Sequence, residues 1–167
     1  MGGGESAPPE DCAAAYRLGQ LIAEEGWVLL NGGRPAGIME ASAKGAKDRG
    51  GLTIGILPGN SARHASKYID IPVVTGMGDA RNVINVLTSD AVVALPGKGG
   101  TISEVALALK NGKKVVLLNF DPGKIFETYR ESGLLRNAGS PEEAVKIIRN
   151  EFCFGDRGGR PAEVVKK

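Results

Sequence analysis

Three observations predict an α/β domain, a parallel sheet with helices on both faces in three layers. Short apolar runs rich in branched residues recur along the chain, amphipathic stretches separate them, and small or polar residues close each run. Nearly continuous runs of this kind suit parallel strands that are covered on both sides. Their alternation with helices calls for right-handed crossovers, and ligands of such sheets gather at the carboxyl ends of the strands.

The first amphipathic stretch, Pro9 to Glu25, places Ala13, Leu18, Leu21 and Ile22 on one face. Pro8 or Pro9 suits its first turn and Gly26 its stop. Strands are expected at Trp27–Leu30, Leu52–Leu57, Ile71–Val74, Ala91–Leu95 and Lys114–Leu118. Helices are expected at Ile38–Arg49 (ended by Gly50 and Gly51), Ala80–Thr88, Thr101–Asn111 (stopped by Gly112) and Pro141–Glu151, capped by Ser140. Trp27 and Tyr16 fit apolar faces and read as core.

The 167 residues suffice for one domain with a substantial core, expected over residues 1–154. Residues 155–167 mix Gly, Pro and charge without periodicity and read as a loose tail. At 42% hydrophobic, 24% charged and a formal charge of +2, the composition is that of an ordinary globular protein. It gives no electrostatic reason to expect nucleic acid or a membrane surface as partner. Cys12 and Cys153 belong to no metal-type cluster, so each reads as a structural thiol and no metal site is expected. No run approaches a transmembrane length and no secretory leader is seen, which makes the expected location cytoplasmic. The opening Met1-Gly2-Gly3-Gly4 reads in part as an expression remnant.

The most informative segment is Leu95-Pro96-Gly97-Lys98-Gly99-Gly100-Thr101-Ile102-Ser103-Glu104. It follows an apolar run and opens a helical pattern, so it is a strand, a glycine-rich turn and a first helical turn. Such a turn aims free N–H groups at the positive end of a helix dipole, a ready phosphate site. Glycine is expected there for positive φ and for close approach of an anion. Gly97, Lys98, Gly99, Gly100 and Thr101 are the phosphate-side candidates, with Lys98 as a phosphate contact rather than a Schiff-base former. Gly32, Gly33 and Arg34 close the first strand on the same rim, as does Gly76-Met77-Gly78-Asp79-Ala80-Arg81-Asn82 after the third. Arg81 at a helix start opposes the dipole, so it needs either an anion or a salt bridge to Asp79 or Asp90. Glu104, expected in the first helical turn, is either stabilised there structurally or faces a ligand. His64, in a polar stretch without a Ser or Asp partner pattern, reads as a surface histidine.

The run Pro96 to Glu104 resembles the P-G-G-x-G-T-x-x-E signature of the LOG-like proteins, long mislabelled lysine decarboxylases, and lysine decarboxylation is not expected. Gly32-Gly33-Arg34-Pro35-Ala36-Gly37-Ile38-Met39 looks like that family's first phosphate-side loop. Within the superfamily the chain looks most like the molybdenum cofactor carrier proteins, through Gly76 to Asn85 and Glu104 to Lys110. The resemblance spans about Gly26 to Leu118. It implies a Rossmann-like domain, a homo-dimer or tetramer, and a phosphorylated small molecule as partner. Three departures stand out. Lys98 replaces the second signature glycine, Asn82 replaces the lysine of an Arg-Lys pair, and the chain opens on glycines where relatives run an apolar strand into them. Without that strand the sheet lacks a member next to the site, and a truncated or mis-started chain is the expected explanation.

Two functions follow from the resemblance. One is a non-catalytic binding protein for a phosphorylated nucleotide-like or pterin ligand, with the molybdenum cofactor as cargo rather than as a resident cofactor. The other is a nucleoside 5′-monophosphate phosphoribohydrolase, an N-glycosidic hydrolase in which Glu104 would act around the ribose and Arg81 would orient phosphate or base.

Overall fold

The computed structural model describes residues 1–4 and 7–151; Cys153 and the expected tail at 155–167 lie outside them. Helix α1 (Pro9–Glu24) is followed by β1 (Leu29–Asn31), α2 (Gly37–Lys47), β2 (Thr53–Leu57), β3 (Ile71–Val74), α3 (Asn82–Thr88) and β4 (Ala91–Ala94). Then come α4 (Gly99–Lys110), β5 (Lys114–Leu118), α5 (Glu127–Glu131), β6 (Leu135–Ala138) and α6 (Pro141–Glu151). Three-residue and four-residue 3-10 turns precede β3, α3 and α5.

Strand β5 shows how the layers form. Its alternate residues Val116 and Leu118 pack with Leu18 of α1, Ile38 of α2 and Val145 and Ile148 of α6. Val115 and Leu117 point the other way, to Val86 of α3, Val105 and Leu109 of α4, and Phe126. A period of two on a strand buried on both sides therefore generates two helical layers. Helix α6 starts as expected: Ser140 Oγ accepts the Glu143 amide, and the Glu143 carboxylate accepts the Gly139 amide. Ion pairs Arg17–Glu142 and Arg149–Glu25 fasten α6 to the end and flank of α1.

All strand pairs are parallel, and they form two sets, β1-β2-β3 and β4-β5-β6. No pairing joins β1 to β4 among the described residues. Between them lies an apolar cavity of about 450 Å³, bordered by Leu29, Leu30, Val92 and Val93 and floored by Leu18 and Ile148. The first residues of the chain occupy its carboxyl end. The Met1 amine donates to the Val93 carbonyl at 2.6 Å, and the Leu95 amide donates to the Met1 carbonyl at 2.8 Å.

Several expectations shift. The first strand is Leu29–Asn31 rather than Trp27–Leu30, and Trp27 packs on the core from its edge. Helix α4 opens at Gly99, because the Lys98 carbonyl accepts both the Thr101 and Ile102 amides. Strand β6 was not anticipated, since Leu135-Arg136-Asn137-Ala138 has only two apolar positions. Tyr16 is not core: its hydroxyl donates to Asp48 at 2.6 Å, and the Lys44 ammonium sits 4.9 Å from its ring. Cys12 is half-buried.

The third strand departs furthest. Ile71–Val74 is exposed along its whole length, because β3 is an edge and α3 and α4 lie over the other half of the sheet. Val83 and Leu87 of α3 and Ile102 of α4 are exposed as well, whereas Val86, Val105 and Leu109 of the same helices are core.

Candidate functional site

Four segments converge where the carboxyl ends of β1 and β4 face one another. The first is the turn after β1, which Asn31 folds. Its buried side chain accepts the Gly33 amide at 2.8 Å and donates to the Met39 carbonyl at 3.0 Å and to Ser42 Oγ at 3.2 Å, curling the glycines over the start of α2. Gly33 has φ +71°, and a Cβ there would sit 2.9 Å from Leu57 Cδ2 and 3.0 Å from Gly55 Cα. Only glycine fits both demands. At Gly32 a Cβ would lie 2.6 and 2.7 Å from the terminal nitrogens of Arg81, so the guanidinium approaches bare backbone there.

The second segment is Met1–Gly4, which threads between the other loops. The Gly3 amide donates to the Pro96 carbonyl at 3.0 Å, and the Gly3 carbonyl accepts the Ile38 amide at 3.2 Å. A Cβ on Gly37 would strike the Gly4 carbonyl. These opening glycines are a wall of the cleft.

The third segment is the turn from β4 into α4. Gly97, Gly99 and Gly100 are not in the left-handed region, contrary to expectation. Gly97 is required by contact, since a Cβ would overlap Thr101 Oγ1. At Gly99 and Gly100 a Cβ would meet nothing within 4 Å, so there glycine keeps open the space in front of the helix. Lys98 is the exposed N-cap. Because the Thr101 amide bonds back to Lys98, the unspent first-turn amides are those of Gly99 and Gly100.

The fourth segment is the Gly78–Arg81 turn running into α3, which supplies Asp79, Arg81, Asn82 and Asn85. The enclosed cleft is about 250 Å³. Arg34, Arg81 and Lys98 line it against the carboxylates of Asp79 and Glu104. Burial pushes the Arg81 guanidinium below its ordinary range; Glu104 and Asp79 oppose this, and Arg34 adds to it. Neither Asp79 nor Asp90 forms the salt bridge weighed for Arg81, whose Nε is buried without a hydrogen-bond partner. Glu104 falls in the second turn of α4, not the first, and is 8% exposed. The helix terminus therefore does not account for it. Its partner is Asn85, whose Nδ2 donates to Glu104 Oε1 at 3.0 Å.

Of the residues singled out from sequence, Gly32, Arg34, Lys98, Gly100, Thr101, Arg81 and Glu104 line this one cleft. Gly33, Gly97 and Gly99 shape its walls from behind or beside. His64 is exposed on a 3-10 turn. Asn31, Asn85 and Gly2–Gly4 were missed. The polar Asn31 directly after an apolar run was the available signal for the first.

The parallel sheet between two helical layers, with its cleft at the strand ends, makes this a Rossmann-like domain. The chain matches the SLOG cluster4 family over residues 1–145 and belongs to that family. The molybdenum cofactor binding protein from the phototrophic bacterium Rippkaea orientalis is 52% identical, with a TM-score of 0.81 over 89% of this chain and 92% of that one. The molybdenum cofactor carrier protein from Chlamydomonas reinhardtii is 44% identical, with a TM-score of 0.83 over the same shares. A cytokinin riboside 5′-monophosphate phosphoribohydrolase from Mycobacterium tuberculosis is 34% identical across 131 residues, 72% of this chain and 69% of that one. Among the described residues no helix is long and apolar enough to cross a membrane.

Gly100→Val tests the cleft as an anion site. Its side chain would enter open space on the ligand side. Circular dichroism should stay native while calorimetric affinity for a phosphorylated ligand falls at least about tenfold, the equivalent of one lost charge-assisted bond. Unchanged affinity would sink the assignment.

Proposed function

We propose that this protein is a cytosolic binding protein for a phosphorylated nucleotide-like or pterin ligand, with the molybdenum cofactor as its cargo. The observation that supports this best is the position of the α4 amino terminus. Gly99 and Gly100 open α4, where first-turn amides have no intrahelical acceptor, and Gly100 lines a cleft that also holds Arg34, Arg81 and Lys98. Charge-assisted hydrogen bonds contribute about 1.5–3 kcal/mol each, so two such amides amount to roughly 10² to 10⁴ in affinity. The two solved relatives described as molybdenum cofactor proteins agree with this reading. No cluster of three or more His, Cys, Asp or Glu suited to a metal occurs among the described residues. Cargo would be gripped through its phosphate and ring.

The second reading is hydrolysis of the N-glycosidic bond of a nucleoside 5′-monophosphate. Glu104 and Arg81 share one cleft, as that chemistry needs, and the mycobacterial relative is named for it. Binding is favoured because Asn82 lines the cleft as a neutral amide where a second cation would stand beside Arg81. General acid–base help is worth about 10² to 10⁴ in rate, and only with its partner groups in place.

Incubated with AMP or GMP, the wild type should release little free base by chromatography, and Glu104→Gln no less. Robust release by the wild type, lost in Glu104→Gln, would promote the hydrolase reading.

The protein is further proposed to self-associate through apolar residues that α3 and α4 leave exposed, Val83, Leu87 and Ile102. Static light scattering should return a dimer or tetramer at micromolar concentration, and Leu87→Glu should shift it toward monomer. A wild-type monomer would contradict this.

A further inference from the structure

The cleft contains two buried polar atoms that the protein itself leaves without partners. Asn85 is 2% exposed, lines the cleft, and its Oδ1 accepts no hydrogen bond. Arg81 lines the same cleft, and its Nε is buried with no acceptor. The two residues are four apart along the continuous turn and helix from Gly78 through α3, so their side chains share one helical face. One is an acceptor and the other a donor.

Neither atom is poorly placed by accident of rotation. The Asn85 amide is oriented by Glu104, which takes its Nδ2 proton at 3.0 Å and leaves Oδ1 as the free end. Arg81 is held with its terminal nitrogens against Gly32, where any side chain would displace them. Buried polar groups are almost always satisfied, and two that are not, side by side in a cleft, mark a place where a ligand completes them.

We propose that Asn85 and Arg81 read the ring of the ligand. Asn85 Oδ1 accepts a ring N–H or amino group, and Arg81 Nε donates to the acceptor beside it. The matching chemistry is a heterocycle edge with a donor and an acceptor adjacent, as purine and pterin rings present. Asn85 is thereby a specificity residue, and Glu104 positions its amide. This rests on the proposed binding function and adds to it the part of the ligand that is not phosphate.

The test compares GMP with ribose 5-phosphate, which keeps sugar and phosphate and lacks the ring. Calorimetry is run on the wild type, on Asn85→Leu and on the smaller Asn85→Ser, with circular dichroism as the folding control. The wild type should bind GMP at least about tenfold more tightly than ribose 5-phosphate. Both variants should erase that preference while holding ribose 5-phosphate as well as the wild type does. Equal wild-type affinity for the two probes, or loss of both probes together in folded variants, would overturn the role of Asn85 and leave phosphate binding standing. Binding of neither probe by the wild type would remove the phosphate reading and this inference with it.

Discussion

Four hydrogen bonds made by Met1 and Gly3 hold the two halves of the molecule to one another at the cleft. Met1 bonds to Val93 and Leu95 beside β4, and Gly3 bonds to Pro96 on one side and to the first turn of α2 on the other. The turns after β1 and β4 would otherwise approach only through side chains, because the two strands do not pair. This short backbone bridge fixes the spacing between the Gly32–Arg34 loop and the α4 amino terminus. The width of the cleft between these loops is thus set by main-chain bonds, which stretch little.

The remaining geometry follows from where side chains are forbidden. Gly32 gives Arg81 a flat surface, Gly97 gives Thr101 room, and Gly99 and Gly100 leave the mouth of the helix clear. Among the described residues Arg34, Arg81 and Lys98 line the cleft with Asp79 and Glu104, and burial partly desolvates Arg81. In such surroundings Coulombic attraction to a phosphate is stronger than at an open surface. Asn82 lines the same cleft as a neutral amide, and Glu104 is anchored there by the Asn85 amide.

Much of this was legible in the sequence because strand ends and helix starts leave strong local marks. The alternation of runs located five strands, and the glycine turn before Thr101 pointed to the turn into α4 that lines the cleft. What sequence could not supply were facts about partners. That Ile71–Val74 is an edge strand depends on which half of the sheet α3 and α4 cover, which periodicity cannot tell. Strand β6 was hidden because two polar residues, half-buried Arg136 and exposed Asn137, fill the middle of a run of only four residues. The reason for each glycine was also misjudged in kind. Positive φ was expected at Gly97, Gly99 and Gly100, and contact or open space is what holds them, while at Gly33 and Gly37 both reasons apply. Asn85 and Gly2–Gly4 were not read as lining a site, because an amide in a short helix and glycines at a chain start have bland local explanations.

The account stands on the α4 amino terminus as the seat of an anion, and an isotope-labelled sample titrated with inorganic phosphate tests this directly. The amide resonances of Gly99 and Gly100 should move progressively and saturate. The Thr101 amide, already bonded to Lys98, should move less, and Gly112 at the far end of the helix should stay in place. Saturating shifts elsewhere with Gly99 and Gly100 unmoved would contradict the account.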